Sequence, residues 1–280
     1  MAPLFTFCGG ATDKVNKKLR DRGRKILNIA HRGASAYRPE NTMEAFIEAI
    51  TLGADIIEMD VRKTFDGHLV LLHDETVDRT TDGTGSISEL TLKQVKALDA
   101  GMGDRIPTLE EVFSHFFPGE VILNLEIKCP GIEIKVVEMA HRLFRGDRVL
   151  ISSFRRSILR KVKEIDGRIK IGLLVGRTGS INPIVWMNEV FPLSTFRKLG
   201  ADTLHQHVRL AHPYLIGRCK REGIPLYVWV VDEEAEMRKF ILRGIDGIFT
   251  KRPDMLSKVI QEEIGNAYRE GKRRTDKGVR

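Results

Sequence analysis

The chain has 280 residues, 42% of them apolar and 30% charged, a balance that suits a folded globular body and excludes disorder as its main state. No run approaches the roughly 20 apolar residues of a bilayer span, and the first ten residues lack the basic leader of a secretory signal, so a cytoplasmic location is expected. The net charge of +8 is concentrated at the ends: residues 14–25 carry +6 and residues 268–280 carry +4, which with Asp13 leaves −1 for residues 26–267.

Those basic ends read as solvated arms, with peripheral contact at an anionic membrane surface as the second reading. No aromatic residue interleaves the basic ones in residues 14–25, so no specific nucleic-acid platform is expected. Cys8, Cys129 and Cys219 are odd in number and far apart, which indicates neither a disulfide framework nor a zinc site and fits a reducing compartment.

In chain order, short β-rich runs alternate with helical patterns. Strands are predicted at 26–30, 55–60, 121–126, 148–152, 169–174, 202–206, 225–230 and 245–249. Asn41 with Glu44 three residues on predicts a capped helix start, and Gly53 its close; Thr108 with Glu111 predicts another. Further helices are expected at 131–144, 155–165, 212–222 and 233–243, while Pro183 and Pro192 interrupt the stretch before the sixth strand. Eight strands with crossover helices predict an α/β fold, a (β/α)₈ TIM-type barrel, over a doubly wound open sheet.

One segment breaks the alternation. After the second strand the chain turns at Asp66-Gly67 and returns as Leu69–Asp74, a hairpin signal because both turn residues tolerate positive φ. The return brings His73 back to the level of Glu58 and Asp60. The loop 75–106 then has no obvious strand, and loops of that length are usually functional or separately packed.

Polar residues gather at the strand ends. The first strand ends in His31-Arg32, the second carries Glu58 and Asp60 on one face, and the third carries Glu126 and Lys128 on one face. Three carboxylates without clustered thiolates or imidazoles suit a hard divalent cation, Mg²⁺ or Ca²⁺. Arg32 and Lys128 suit a phosphoryl oxygen. His31 and His73 can share general acid and base work near neutral pH. Singly, each residue has a structural explanation; together, on three successive strand ends, they describe phosphodiester cleavage.

The chain resembles the glycerophosphodiester phosphodiesterase family. The resemblance rests on Ala30-His31-Arg32-Gly33, Pro39-Glu40-Asn41-Thr42, Gly53–Val61, Thr64-Phe65-Asp66-Gly67, Val70–Asp74, Asp78-Arg79-Thr80-Thr81, Ile106–Glu111, Leu125-Glu126-Ile127-Lys128 and Trp229. It covers roughly residues 26–260 and implies a barrel domain over 26–264, between a basic extension at 1–25 and a basic tail at 265–280. It also implies His31 and His73 as acid and base, in an order left open, Glu58, Asp60 and Glu126 as ligands of Mg²⁺, Ca²⁺ or Mn²⁺, and Arg32, Lys128 and Trp229 as substrate-binding residues. The reaction implied is hydrolysis of glycerophosphodiesters to sn-glycerol 3-phosphate and an alcohol.

Where the family often reads Trp-Thr-Val-Asn and Thr-Asp-x-Pro, this chain has Trp229-Val230-Val231-Asp232 and Thr250-Lys251-Arg252-Pro253. These departures leave the choice of alcohol open. A lysophospholipase D acting on lyso-lipids and a catalytically silent lipid-surface protein are the alternatives; the intact histidine and carboxylate set disfavours the second. His205 and His207 are expected to be structural.

Overall fold

The computed structural model describes the backbone of residues 26–117, 119–176 and 189–277, and side chains as far as residue 266. Residues 14–25 and Pro183, named above, lie outside the described residues. Eight strands run parallel: β1 (Leu27–Ala30), β2 (Ile56–Lys63), β4 (Ile122–Ile127), β5 (Val149–Ser153), β6 (Lys170–Val175), β7 (Thr203–His207), β8 (Leu226–Trp229) and β9 (Gly247–Thr250). Each pairs with the next, and β1 pairs with both β2 and β9, so the sheet closes on itself. β3 (Leu69–Leu71) is antiparallel to β2, with Val61 opposite Leu71, as the Asp66-Gly67 turn predicted. The fold is the expected (β/α)₈ barrel, and the open sheet is excluded by the β1–β9 closure.

Around the strands lie α1 (Met43–Thr51), α2 (Leu92–Ala97), α3 (Leu109–Phe116), α4 (Glu133–Leu143), α5 (Arg156–Ile165), α6 (Leu193–Leu199), α7 (Pro213–Glu222), α8 (Glu234–Arg243) and α9 (Pro253–Lys277). The outward side chains of the strands and the inward faces of the helices form one large core that includes Met59, Val61, Leu123, Leu125, Ile151 and Ile171. Inside the barrel a smaller cluster of Ile29, Ile56, Ile122, Leu150, Tyr227 and Phe249 fills the lower layers. Glycine makes room for these large groups. A Cβ on Gly172 would lie 2.4 Å from the His205 ring, and one on Gly247 would lie 2.8 Å from Tyr227. The floor is therefore packed, and the barrel opens into a cavity toward the C-terminal ends of the strands.

One local expectation changes. Thr42, not Asn41, caps α1, its hydroxyl accepting from the Ala45 N–H. Asn41 instead takes φ +58° and turns its amide inward, donating to Asp60 Oδ2 at 2.8 Å while its carbonyl oxygen accepts from the Asp60 N–H at 3.1 Å. A left-handed backbone favours Asn among non-glycine residues, and both atoms of the amide are used. The loop 75–106, for its part, contains α2, opened by a Thr91–Gln94 capping box. It packs its own cluster of Val77, Ile87, Val95, Ala100 and Ile106 against Val70 and Leu72 of the hairpin return. It is a small packed annex that props up the segment carrying His73.

Asn41→Ala should cost about 2–4 kcal/mol, since it strands a buried donor and acceptor on Asp60 and places alanine at positive φ. Urea unfolding of the two proteins measures this; a loss under about 1 kcal/mol would contradict the paired, buried geometry.

Asn28 ties the first strand to the last helix, its amide donating to the Pro253 carbonyl at 2.7 Å and to Ser257 Oγ at 2.9 Å. No helix among the described residues is long and apolar enough to cross a membrane. Of the described cysteines, Cys219 is buried and Cys129 half-buried, and both are free thiols.

Candidate active site

The pleat of β2 and β4 builds the acidic centre. Period-two alternation turns Ile56, Glu58 and Asp60 inward on β2 and Ile122, Asn124 and Glu126 inward on β4. The register places Glu58 beside Asn124 and Asp60 beside Glu126. Oxygens of Glu58, Asp60 and Glu126 lie within 4.8 Å of one another, and all three residues are buried. Lys128 Nζ sits between two of them, 2.9 Å from Asp60 Oδ1 and 2.6 Å from Glu126 Oε1. Arg32 Nε is 3.1 Å from Asp60 Oδ2, and the Arg32 backbone N–H donates to Glu58 Oε2 at 2.8 Å. Arg32 adopts φ +58° and Gly33 φ +81° as the chain leaves β1, and Gly33 lies too close to Ala45 for any side chain. That turn is what aims both the backbone and the side chain of Arg32 at the carboxylates.

The balance of charge is uneven. Burial, reinforced by repulsion from Asp60 and Glu126, pushes Glu58 well above the usual carboxylate range. Burial also pushes Glu126 up to about 7 against the pull of Lys128. Asp60 is just as buried, but Lys128 and Arg32 outweigh the burial and hold its carboxyl low. Were all three carboxylates ionised, Lys128 and Arg32 would leave one negative charge unmatched, a deficit of positive charge. The all-oxygen donor set and this deficit together fit a divalent cation.

The two histidines enter from different directions. His31 extends from the end of β1, its N–H donating to the Thr250 carbonyl at 2.8 Å. Its Nδ1 has no hydrogen-bond partner among the described residues, and burial with the nearby Arg32 holds its pKa well below the ordinary value. His73 follows β3. Both Nε and Nη2 of Arg62 donate to its carbonyl oxygen, at 3.0 and 2.7 Å, and its Nδ1 lies 2.6 Å from Asp74 Oδ1. Burial lowers the pKa of His73 too, partly offset by Asp60. Asp74 in turn pairs with Arg79 Nε at 2.5 Å, Arg79 with Glu40 at 2.6 Å, and Glu40 with Arg32 at 2.9 Å. A continuous ionic chain thus links the two sides of the site. The motif residues Glu40, Asp74 and Arg79 were quoted above without a role; the ion pairs supply one.

These groups open onto one cavity of about 290 Å³ at the C-terminal rim, lined among others by His31, Arg32, Glu58, His73, Glu126 and Lys128. Asp60 lies just behind that wall. Trp229 lines the opposite side, with Phe154 edge-on against it at 5.5 Å, and its indole N–H donates to the His205 carbonyl at 3.0 Å. Every residue expected from the sequence to bind metal or substrate or to carry acid–base chemistry therefore lies in or against this one cavity. His205 and His207 do not line it: His205 is enclosed and stacked on Tyr227, and His207 packs edge-on against Trp229. Asn124 and Ser152, which do line it, were missed because a single Asn or Ser inside a strand carries no chemical signature.

A model of the glycerophosphoryl diester phosphodiesterase family matches residues 31–255. The chain belongs to this family. The glycerophosphodiester phosphodiesterase of Caldanaerobacter subterraneus subsp. tengcongensis is 42% identical over 250 residues, 85% of this chain and 99% of that one. A Bacillus subtilis glycerophosphodiester phosphodiesterase is 32% identical over 275 residues, 89% of this chain and 90% of that one. Among solved structures, an Oleispira antarctica phosphodiesterase in complex with the product sn-glycerol-3-phosphate superposes with a TM-score of 0.72 at 30% identity, covering 83% of this chain and 95% of that one. Family membership makes this chain a phosphodiesterase, and the cavity at its strand ends is where such chemistry belongs in a barrel.

Proposed function

We propose that this phosphodiesterase hydrolyses glycerophosphodiesters to sn-glycerol 3-phosphate and an alcohol, with a divalent cation, Mg²⁺, Ca²⁺ or Mn²⁺, held by Glu58, Asp60 and Glu126. The convergence of three buried carboxylates, two cationic side chains and two imidazoles on one cavity carries this reading. A bound cation would act as a Lewis acid toward the phosphoryl group. Arg32 and Lys128 hold the anionic phosphodiester and offset the charge that builds on its oxygens.

His73 is assigned as the base. With Nδ1–H donated to Asp74, a neutral ring leaves Nε2 free to accept a proton from the attacking hydroxyl. His31 then protonates the departing alkoxide; an anionic phosphodiester beside it counteracts the burial and the cations that otherwise keep its ring neutral. One P–O bond forms to the attacking oxygen and one breaks to the alcohol, and the proton taken at His73 is matched by the proton given at His31.

A second reading, lysophospholipase D activity, is favoured by the aromatic wall of Phe154 and Trp229, with the basic ends bringing the enzyme to anionic lipid surfaces. Release of glycerol 3-phosphate from glycerophosphocholine, compared with choline release from lysophosphatidylcholine, separates the two. The first activity should dominate, and a preference for the lyso-lipid would overturn the assignment.

A further inference from the structure

Outside the catalytic cavity, the rim beside β6 and β7 carries apolar and cationic groups that the reaction does not use. Phe191, just ahead of α6, is 47% exposed, and Tyr214, in the first turn of α7, is 58% exposed. His212 stands between them, its ring parallel to Tyr214 at 6.2 Å and edge-on to Phe191 at 6.1 Å. Both of its nitrogens hold that ring: Nδ1 accepts from the Leu215 N–H at 3.2 Å, and Nε2 donates to the Val190 carbonyl at 3.4 Å. Two large side chains are thus kept in water at a fixed place, where transfer to an apolar surrounding is favourable.

His212 also lines a groove of about 560 Å³ between the start of α7 and α8. Arg209, Lys239 and Arg243 bring three positive charges to this groove, and Glu236 one negative charge. None of the three cations has a carboxylate partner among the described residues. Arg238, the neighbour of Lys239 in sequence, shows that α8 can pair its arginines, being held by Glu234 and Glu262 at 2.8 Å each. The groove therefore keeps unmatched positive charge beside the two exposed rings.

That combination is complementary to an anionic bilayer surface, where lipid phosphates meet the cations and aromatic rings settle among the headgroups. A single-stranded nucleic acid would need parallel ring faces for successive bases, whereas Phe191 stands edge-on. The patch is also continuous with the mouth of the cavity. Trp229 on the cavity wall packs edge-on against His207 at 4.7 Å, and His207 Nδ1 accepts from the Arg209 N–H at 3.2 Å.

We propose that Phe191 and Tyr214, with Arg209, Lys239 and Arg243, form a docking surface for an anionic lipid bilayer. Docking there sets the mouth of the cavity beside the lipid headgroups. The basic ends of the chain can add attraction, but this patch fixes which face of the barrel meets the membrane.

The test is co-sedimentation of the full chain with vesicles of phosphatidylcholine and phosphatidylglycerol in equal parts, against vesicles of phosphatidylcholine alone. The parent should bind the anionic vesicles and leave the neutral ones. Each cation lost near such a surface weakens binding roughly fivefold, so Lys239→Gln with Arg243→Gln should lower it about tenfold or more. Phe191→Ser with Tyr214→Ser should lower it severalfold and remove the part that survives high salt. In both double variants kcat/KM for glycerophosphocholine without vesicles should stay at the parent value, because none of the four residues lines the catalytic cavity. Vesicle binding equal to the parent's in both variants, as the basic ends alone would give, overturns the surface. A parent that ignores anionic vesicles, or binds poly(U) RNA in their place, overturns it too. Vesicle binding is read without turnover, so a failure of the substrate assignment leaves this test intact.

Discussion

Replacing His31 or His73 with alanine should lower turnover by at least about 10²-fold while leaving the unfolding midpoint nearly unchanged. The structure explains why the fold should survive. The anchoring bonds of His31 run through its backbone, to Thr250 and to the Ser35 hydroxyl, and its Nδ1 is unpartnered among the described residues. His73 is likewise gripped at its carbonyl by Arg62, and Asp74 keeps its pairing with Arg79 when the ring is removed. The variants differ in what small molecules should restore. Imidazole can supply a missing base in solution, so it should partly rescue His73→Ala, whose site is a third exposed, more than the enclosed His31→Ala. Wild-type-like turnover in either folded variant removes that histidine from the mechanism.

Chelation should have an equally large effect. EDTA should abolish turnover on glycerophosphocholine, and Mg²⁺, Mn²⁺ or Ca²⁺ should restore it. Stability supplies a second readout. A cation that binds only the folded state stabilises it by about 2.7 kcal/mol at a concentration near 100 times its Kd, so the unfolding midpoint should rise on titration with metal. Glu58→Gln should separate the two effects. In EDTA it should match or exceed the parent in stability, because it removes a buried carboxylate that burial and two like charges already disfavour. With metal present its midpoint should no longer rise. Full activity after exhaustive chelation, or a metal-induced rise that persists in Glu58→Gln, overturns the assignment of this carboxylate cluster.

The barrel was legible because strands buried on both faces must be apolar throughout, and each predicted strand lies within a few residues of the observed one. The acidic centre was legible for a related reason: Glu58, Asp60 and Glu126 stand in runs such as Ile56–Val61 where a charge has no structural excuse. The cap on α1 was misassigned because Asn41-Thr42 offers two capping residues in succession. Only the demand of Asp60, distant in sequence, decides between them. α2 was missed since six residues inside a polar loop show too little periodicity, and its stability comes from the cluster it forms with the hairpin.

The bonds from Asn28 to Pro253 and Ser257 join residues 225 and 229 positions apart. At about 5–20 residues per second, roughly 10–45 s of synthesis separate the first strand from these partners in the last helix. During that interval β1 has no β9 beside it, and the last register that closes the cylinder cannot form. His31 and Arg32, at the end of β1, are therefore among the first cavity-lining residues made and among the last to be fixed in place. The cavity at the strand ends is therefore complete only once α9 has docked, which makes the finished cavity a report that the barrel has closed.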